Sequence, residues 1–375
     1  MGLHAAALPT FPWDTLRPYA ERARAHPDGL VDLSVGTPVD PTPQVVQEAL
    51  AAAADAPGYP TTHGTTELRE AVVDWFARRR GVRDLTPEAV LPTIGSKELV
   101  ALLPSWLGLG EGDVVVHPEV AYPTYDVGAR LAGAAPLAAD DPAAWADRDD
   151  VRLVWLNSPS NPTGQVLDVE QMRAVVQAAR RVGAVVASDE CYALLAWDRP
   201  WSDEGVPSLL DPRVSGGRHE DLLVVHSLSK QSNLAGYRAA FAAGDPALVG
   251  RLLEVRKHAG MMVPAPVQAA MVAALRDDDH ITEQTARYRR RRAALRGALE
   301  AAGLEVDGSP AGLYLWVRAS GAGQDCWQTV ADLAEQGILV APGSFYGPAA
   351  VRHVRVALTA SDETVARAVA RLSGA

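Results

Sequence analysis

Apolar runs of strand length alternate with segments of helical apolar spacing over roughly residues 65–245. The runs predicted as strands cover residues 113–117, 152–156, 184–188 and 222–226. The segments predicted as helices cover residues 66–76, 96–107 and 168–182. Strands and helices that alternate at these distances pair in parallel through right-handed crossovers. The pattern therefore predicts an α/β fold with a mostly parallel central sheet and helices on both faces.

The pattern changes after about residue 260. An Arg-rich amphipathic helix is predicted over roughly residues 282–302, and we interpret its arginines as a solvated face. The later predicted elements are strands at 312–317 and 351–358, a helix near 328–336 and a last helix. This mixture predicts a smaller α+β domain. We expect a large domain of residues 38–279, and a small domain built from residues 1–37 and 280–375.

Composition and charge exclude several classes of protein. The chain has 375 residues, of which 48% are hydrophobic and 22% charged, as in folded globular proteins. Its net charge of −11 argues against a sequence-independent nucleic-acid binder. The two cysteines, Cys191 and Cys326, fit a reducing compartment and small buried side chains. Residues 1–10 lack the basic residues of a secretory signal and no apolar run is long enough to span a membrane, so we expect a cytoplasmic protein.

The strongest chemical signal is a lysine that follows an apolar strand. Ser227, Ser229 and Lys230 come at the end of the strand predicted at 222–226, and Arg238 lies eight residues beyond Lys230. Such a lysine, activated by partial burial and nearby cations, fits Schiff-base formation with an aldehyde cofactor. The two hydroxyls and the arginine would then hold a phosphate. A solvated loop lysine is the alternative at this point.

Other polar side chains follow predicted strands, where open α/β sheets bind their ligands. Asp189 follows the strand at 184–188, and a carboxylate there would keep a pyridoxal ring nitrogen protonated. A helix cap or a turn residue is the alternative for Asp189. Tyr192, three residues further on, is placed to donate to the 3-oxygen of such a ring.

Weaker signals lie at three other positions. Asn161 stands in a turn-forming stretch after the strand at 152–156. Gly95 and Ser96 open a predicted helix, whose free N–H groups suit an anion. Tyr122 follows the strand at 113–117 and either stacks on a planar ring or packs in the core.

Together these pieces resemble the fold-type I pyridoxal-phosphate (PLP) aminotransferases of the aspartate aminotransferase superfamily. The matching motifs are Gly36-Thr37-Pro38, Tyr59-Pro60, Gly95-Ser96-Lys97-Glu98, Tyr122, Asn161-Pro162-Thr163-Gly164, Asp189-Glu190-Cys191-Tyr192, Ser227-Leu228-Ser229-Lys230, Gly236-Tyr237-Arg238 and Val354-Arg355-Val356. They follow the family's order over nearly the whole chain. Each motif is weak or moderate alone, and the nine in order indicate the family strongly.

The resemblance implies roles around the cofactor ring. Lys230 forms the Schiff base with PLP and moves the proton of the substrate Cα. Asp189 pairs with the pyridine nitrogen, and Tyr122 stacks on the ring. Asn161 and Tyr192 bind the 3-oxygen, and the Asn161–Pro162 peptide bond is expected to be cis.

The resemblance also implies roles around the cofactor phosphate and the substrate. The phosphate ligands are Gly95, Ser96, Ser227, Ser229, Arg238 and, from a neighbouring subunit, Tyr59. Arg355 binds the substrate α-carboxylate, with Gly36 and Asn161 in the same pocket. Lys97 follows the phosphate-binding pair and either contacts cofactor or substrate or is solvated. The family implies a homodimer with shared active sites, small amino-acid and 2-oxo-acid substrates, and no metal.

One branch of the superfamily resembles the chain most. Phe11-Pro12-Trp13-Asp14 and Leu91-Pro92-Thr93-Ile94 are similar to actinobacterial succinyldiaminopimelate transaminases. That branch implies ping-pong transfer of an amino group between glutamate and N-succinyl-2-amino-6-oxopimelate in lysine biosynthesis. Aminotransferases of aspartate, alanine or other amino acids stay open, and so does a PLP-dependent β-lyase, because they use the same residues.

Two other enzyme classes are weaker alternatives. Ser227-Leu228-Ser229-Lys230 also matches the S-x-x-K motif of serine acyl hydrolases, but the Ser-Asp-Asn and Lys-Thr-Gly motifs that accompany it are absent from the sequence. A nicotinamide dehydrogenase needs Gly-x-Gly-x-x-Gly between a strand and a helix, and the chain has none there.

Overall fold

The computed structural model describes residues 8–9, 11–321 and 323–374. The prediction that residues 1–10 are not a secretory signal falls outside this range, apart from Leu8 and Pro9. Within the described ranges no helix is both long and apolar enough to cross a membrane. Cys191 and Cys326 are both buried and form no disulfide in this part of the chain.

The strands follow the predicted alternation with helices. They are β1 (Val31–Asp32), β2 (Val90–Ile94), β3 (Val114–His117), β4 (Ala135–Ala138), β5 (Val151–Asn157), β6 (Val185–Asp189), β7 (Leu222–Ser227), β8 (Ala239–Gly244), β9 (Leu304–Val306), β10 (Tyr314–Ala319), β11 (Ile338–Leu339), β12 (Ala341–Pro342) and β13 (His353–Ala357). The four strands predicted in the first half are present with their ends moved by one residue or less.

Seven of the fourteen described α-helices begin after a residue whose side chain caps them. The fourteen helices are α1 (Arg17–Arg24), α2 (Gln44–Ala52), α3 (Thr66–Trp75), α4 (Ser96–Trp106), α5 (Thr124–Ala132), α6 (Val169–Val182), α7 (Trp201–Glu204), α8 (Pro212–Ser215), α9 (Leu228–Gln231), α10 (Pro246–Ala259), α11 (Ala265–Arg276), α12 (Asp279–Ala301), α13 (Cys326–Glu335) and α14 (Asp362–Leu372). In α6, Asp168 and Gln171 form a reciprocal capping box and Gly183 ends the helix in the left-handed conformation.

The central sheet has the strand order β2-β8-β7-β6-β5-β3-β4. From β7 to β4 the strands pair in parallel, and β8 runs antiparallel to both of its neighbours, so the prediction of a mostly parallel sheet is confirmed. Three strands of this sheet, β2, β4 and β8, were not predicted from the sequence. Five of the six residues of β8 are Ala or Gly, which carry no strand signal, and β2 contains Pro92, as an edge strand can.

Helices cover both faces of this sheet. Apolar residues of α3, α6 and α11 pack on one face, and those of α4, α5 and α10 on the other. The strands between them are therefore buried on both sides, and all residues of β6 and β7 are buried. Their carboxyl ends are held rigidly at one edge of the sheet.

A second sheet has the order β12-β13-β10-β9 and is antiparallel throughout. It packs with α12, α13 and α14 in a separate apolar cluster. Near the start of the chain, β1 pairs in parallel with β11. These pairings support a small domain built from both chain ends, and its boundaries at residues 37/38 and 279/280 stay a prediction.

The Arg-rich helix is more buried than its charge pattern indicated. It begins at Asp279, three residues before the predicted start. The Arg291 side chain is only 3% exposed. It donates to both carboxylate oxygens of Asp40, at 2.7 and 2.6 Å, and to Asp362 at 2.6 Å. The interpretation of these arginines as a solvated face is therefore wrong for Arg291, which ties α12 to α14 and to the segment before α2.

His226 is buried directly beneath the strand end that carries Ser227. Its ring lies 4.5 Å from the Trp75 ring and 5.4 Å from the Phe241 ring, measured between centroids. Burial lowers the pKa of His226 from 6.5 to about 4. Between about pH 4 and pH 6.5 the imidazole is therefore mostly neutral in the folded protein and mostly protonated in the unfolded chain.

We predict that this histidine makes the protein less stable in mild acid. As the pH falls below 6.5, His226 becomes protonated in the unfolded state, whereas in the folded state it stays neutral down to about pH 4. The free energy of unfolding therefore decreases. From about pH 8 to pH 5, His226 lowers the free energy of unfolding by about 2 kcal/mol. Urea unfolding at both pH values should show this extra decrease in the wild type and not in His226→Gln.

The control is His258→Gln, at an exposed position near the end of α10. It should retain the wild-type decrease. An equal decrease in the wild type and in His226→Gln would contradict the prediction.

Candidate active site

Three neighbouring strands end side by side in polar residues: β5 in Asn157, β6 in Asp189 and β7 in Ser227. A cavity of about 1010 Å³ opens at these ends. The predicted site residues that line it are Gly36, Ser96, Lys97, Tyr122, Asn161, Asp189, Tyr192, Ser227, Ser229, Lys230, Arg238 and Arg355. The fold thus brings together residues from most of the length of the chain.

Gly95 and Tyr59 are the predicted site residues that do not line this cavity. Gly95 lies directly beneath the Arg238 guanidinium, and a Cβ at this position would collide with that group. Tyr59 is 95% exposed.

Asp189 is buried at the end of β6, with 7% of its surface exposed. One carboxylate oxygen accepts a hydrogen bond from the Tyr125 hydroxyl at 3.0 Å, and the other accepts from the backbone N–H of Cys191 at 3.1 Å. Burial raises the pKa of Asp189. Its carboxylate has no ion pair with any described residue. A buried carboxylate is costly unless a positive charge faces it, and the protonated nitrogen of a pyridine ring is such a charge.

Lys230 lies on α9, the short helix that follows β7. The Ser227 side chain caps this helix by accepting from the N–H of Ser229 at 3.2 Å, and it donates to the Ser229 hydroxyl at 2.9 Å. Lys230 Nζ donates to the carbonyl oxygen of Gly36 at 2.6 Å. No described carboxylate forms an ion pair with this half-buried amine. It is therefore placed to react with an aldehyde in the cavity.

The Arg238 guanidinium is placed to bind an anion. Arg238 has a left-handed backbone with φ of 54°, and its carbonyl oxygen accepts from the N–H of Gly95 at 2.8 Å. Gly95 precedes Ser96 at the start of α4, where the backbone N–H groups are not used within the helix. A guanidinium, several hydroxyls and a helix N-terminus together suit a phosphate group.

Arg355 on β13 is 3% exposed and fixed in place. It donates to Asn161 Oδ1 at 3.0 Å and to the carbonyl oxygen of Ser34 at 2.7 Å. Its guanidinium carbon lies 3.9 Å from the centroid of the Tyr314 ring and 5.1 Å from that of Tyr346. Arg355 Nε is buried and has no partner among the residues that the structure describes. The guanidinium is oriented to receive a carboxylate from the cavity.

Asn161 and Tyr122 flank the space between these groups. The backbone N–H of Asn161 donates to Asn157 Oδ1 at 2.7 Å, and the Asn161–Pro162 bond is cis, as expected. Tyr122 lies just before α5, and burial raises the pKa of its hydroxyl. Its ring packs edge-on against that of Tyr125 with centroids 6.0 Å apart, and it also lines the cavity.

Tyr125 and Tyr314 belong to the site and were not predicted. Tyr125 is one helical turn beyond Tyr122, and this spacing is the signal that could have found it. Tyr314 was assigned only to a strand, and no local pattern marks it. Its hydroxyl lies 3.3 Å from that of Tyr192.

The charges of the cavity differ from those of the whole chain. Lys97, Lys230, Arg238 and Arg355 line it, and in the described part of the chain none of the four forms an ion pair with a carboxylate. Asp189 is also buried there. An acidic chain of net charge −11 therefore has a cationic cavity suited to anions.

The family follows from a sequence comparison. The family model for aminotransferase class I and II matches residues 28–372. The chain belongs to this family, whose members use pyridoxal 5'-phosphate bound as a Schiff base to a lysine. The residues that line the cavity suit that cofactor: Asp189 would face the ring nitrogen, Arg238 and the neighbouring hydroxyls would hold the phosphate, and Lys230 would bind the aldehyde.

Particular relatives were also found. The chain is 58% identical over 366 residues, covering 98% of it and 99% of the relative, to the 4-dedimethylamino-4-oxo-anhydrotetracycline transaminase OxyQ of Streptomyces rimosus. It is 60% identical over 369 residues, covering 98% of it and 86% of the relative, to the probable aminotransferase Rv1178 of Mycobacterium tuberculosis. An LL-diaminopimelate aminotransferase of Dehalococcoides mccartyi is 32% identical over 368 residues, covering 93% of this chain and 92% of that one.

Solved structures agree with this assignment. A mutant aspartate aminotransferase from Thermus thermophilus superimposes with a TM-score of 0.87 and 27% identity, covering 100% of this chain and 99% of that one. An aminotransferase from Staphylococcus aureus gives a TM-score of 0.87 and 26% identity, covering 100% of this chain and 98% of that one.

Lys97 gives a testable prediction. Its side chain is exposed on the cavity wall, and Nζ lies 5.8 Å from the centroid of the Phe11 ring. An exposed charge in contact with a substrate carboxylate contributes up to about 1 kcal/mol. We expect Lys97→Met to raise the KM of dicarboxylic substrates about three- to fivefold in steady-state assays and to leave the KM of alanine unchanged.

The control is Lys257→Met, at an exposed position on α10 outside the residues that line the cavity. It should leave every KM unchanged. If Lys97→Met also left the KM of every acidic substrate unchanged, Lys97 would be a solvated helix residue.

Proposed function

We propose that the chain exchanges an amino group between glutamate and N-succinyl-2-amino-6-oxopimelate, through ping-pong chemistry in this cavity. The observation that most supports a catalytic site here is the buried Asp189 carboxylate, which lines a cavity together with Lys230, whose amine forms no ion pair with any described carboxylate. The proposal of the substrate rests on the resemblance to the succinyldiaminopimelate branch.

Each residue has a task in this scheme. Arg355 binds the α-carboxylate of whichever substrate is present, since its guanidinium is held by Asn161 and Ser34. The bound cofactor supplies the electron sink that makes the proton on the substrate Cα acidic. Lys230 Nζ takes up that proton, and Asp189 keeps the electron sink positively charged. Lys230 would then pass that proton to the cofactor, and in the second half-reaction it would carry a proton from the cofactor to the Cα of the product amino acid.

The wider part of the cavity receives the distal end of the substrate. Lys97, Phe11 and Trp13 lie close together on the cavity wall, so a cation and two aromatic rings are available to a long acidic chain. The D. mccartyi relative is an LL-diaminopimelate aminotransferase by name, which supports a diaminopimelate skeleton. The two half-reactions involve anions of different length, and a cavity of about 1010 Å³ has room for both.

A bulky cyclic ketone is the second candidate for the amino acceptor. The relative OxyQ is a transaminase of an anhydrotetracycline by name, and the identity of 58% extends over 98% of this chain. Phe11 and Trp13 on the cavity wall would suit a planar ring system as well as an acyl chain. Both candidates need the same Lys230 and Asp189.

We also propose that the active unit is a homodimer. Tyr59 is 95% exposed and lies outside the cavity of its own chain. An aromatic side chain so exposed suits contact with a second copy. In the dimer, Tyr59 would donate its hydroxyl to the cofactor phosphate in the other subunit.

A half-reaction screen tests the function. Purified protein loaded with cofactor is mixed with one amino compound at a time, and conversion of the cofactor to its amine form is followed by absorbance. We expect conversion with glutamate and with N-succinyl-LL-2,6-diaminopimelate, and none with either in Lys230→Ala, which still binds the cofactor. Lys257→Ala, the matched control, should react as the wild type does.

Other outcomes separate the alternatives. Conversion with aspartate or alanine but not with the succinylated compound would change the substrate, and conversion by an aminated anhydrotetracycline would favour the cyclic ketone. Release of pyruvate and ammonia from cystathionine without amino transfer would favour a β-lyase. Turnover that survives in Lys230→Ala, or double-reciprocal lines that intersect, would contradict the scheme.

A further inference from the structure

The hydroxyl of Tyr314 is held in a fixed place beside Tyr192. Tyr314 is buried on β10, and its hydroxyl lies 3.3 Å from the Tyr192 hydroxyl. The two rings are nearly perpendicular, at 71°, with centroids 5.8 Å apart. On the other side the Tyr314 ring and hydroxyl fill the space where a Cβ on Gly36 would lie. The Tyr314 hydroxyl therefore has little freedom to turn away from Tyr192.

Charged and titratable groups from several elements face Tyr314. They are Arg355 on β13, Lys230 on α9, Asp189 on β6, Tyr192 after β6, Tyr122 before α5, Tyr288 on α12 and Tyr346 before β13. Burial raises the pKa of the Tyr314 hydroxyl, but Arg355 and Lys230 more than offset it, and the pKa lies below the usual value for tyrosine. Burial and the contact with Tyr314 hold the pKa of Tyr192 well above that value.

Counting protons decides the direction of the hydrogen bond once the cofactor is bound. A tyrosine hydroxyl has one proton to donate, although its oxygen can also accept. If Tyr192 donates its proton to the 3-oxygen of the cofactor, it has none left for Tyr314. The hydrogen bond between the two tyrosines must then run from Tyr314 to Tyr192. Hydrogen bonds in such a chain strengthen one another.

We infer that Tyr314 is a positioning residue, which donates to the Tyr192 oxygen and so commits the Tyr192 proton to the cofactor 3-oxygen. The inference rests on the proposed function of Tyr192. A hydrogen bond to the 3-oxygen withdraws electron density from that oxygen. The oxygen then interacts less strongly with the proton of the Schiff-base nitrogen. Tyr314 thereby helps to lower the pH at which that nitrogen loses its proton, although it does not touch the cofactor.

The test is a spectrophotometric pH titration of the cofactor-loaded protein without substrate. The midpoint of the titration is the pH at which half of the Schiff-base nitrogen has lost its proton. Loss of the direct donor in Tyr192→Phe should raise this midpoint by about 1 pH unit. Loss of the supporting donor in Tyr314→Phe should raise it by about 0.3 pH unit, since cooperative strengthening is a fraction of one hydrogen bond. In the double variant, Tyr314→Phe should add no further shift, because its only route of action has been removed.

Tyr346→Phe is the matched control. Tyr346 is also buried against Arg355, and its hydroxyl has no hydrogen-bond partner in the described ranges of the chain. Tyr346→Phe should leave the midpoint unchanged. If loss of any buried hydroxyl near Arg355 shifted the midpoint, Tyr346→Phe would shift it as well.

Two results for Tyr314→Phe would overturn the inference. The midpoint could stay unchanged in Tyr314→Phe, or the Tyr314→Phe shift could persist in the double variant. A higher KM in Tyr314→Phe without a midpoint shift would show that Tyr314 acts on Arg355 instead. If Tyr192→Phe itself left the midpoint unchanged, the proposed role of Tyr192 would fail and the inference with it, so the two failures can be told apart.

Discussion

The buried carboxylate of Asp189 is the constraint on which the rest of the site depends. It can stay charged away from water only because two donors hold it and a positive charge can face it. The donors are the Tyr125 hydroxyl, which comes from α5, and the backbone N–H of Cys191, which lies just beyond the carboxyl end of β6. The same edge places Asn157 and Ser227 on the neighbouring strands, beside Asp189. The parallel sheet is thus what turns distant parts of the sequence into one polar cavity.

Net charge and local charge answer different questions in this protein. The total of −11 arises because the whole chain has 46 Asp and Glu against 35 Lys and Arg. The cavity instead concentrates cations, each placed by a different element: Arg355 by β13, Lys230 by α9 and Lys97 by α4. A negative net charge therefore argues more strongly against a nucleic-acid partner than against an anionic substrate.

The sequence allowed prediction of the features that are local. Lys230 and Asp189 could be recognised because an apolar strand ends and polar residues begin at each of them, and the order of the motifs indicated the family. Contacts between distant residues could not be predicted. Tyr314 meets Arg355 because β10 pairs with β13 in a register that puts Arg355 opposite Trp316, diagonally from Tyr314 on the same face. Likewise the helix that carries Arg291 could be predicted, but the position of Asp40, 251 residues away, decides that Arg291 is buried.

The most direct test of the account is the half-reaction of Asp189→Asn loaded with cofactor. Asparagine keeps the shape and the ability to accept from Tyr125 but removes the charge that holds the ring nitrogen protonated. With glutamate, the account predicts that the rate of cofactor conversion falls by about 10²–10³-fold while the cofactor stays bound and the far-ultraviolet circular dichroism is unchanged. A rate within about twofold of the wild type, a difference of only about 0.4 kcal/mol in the barrier, would contradict it.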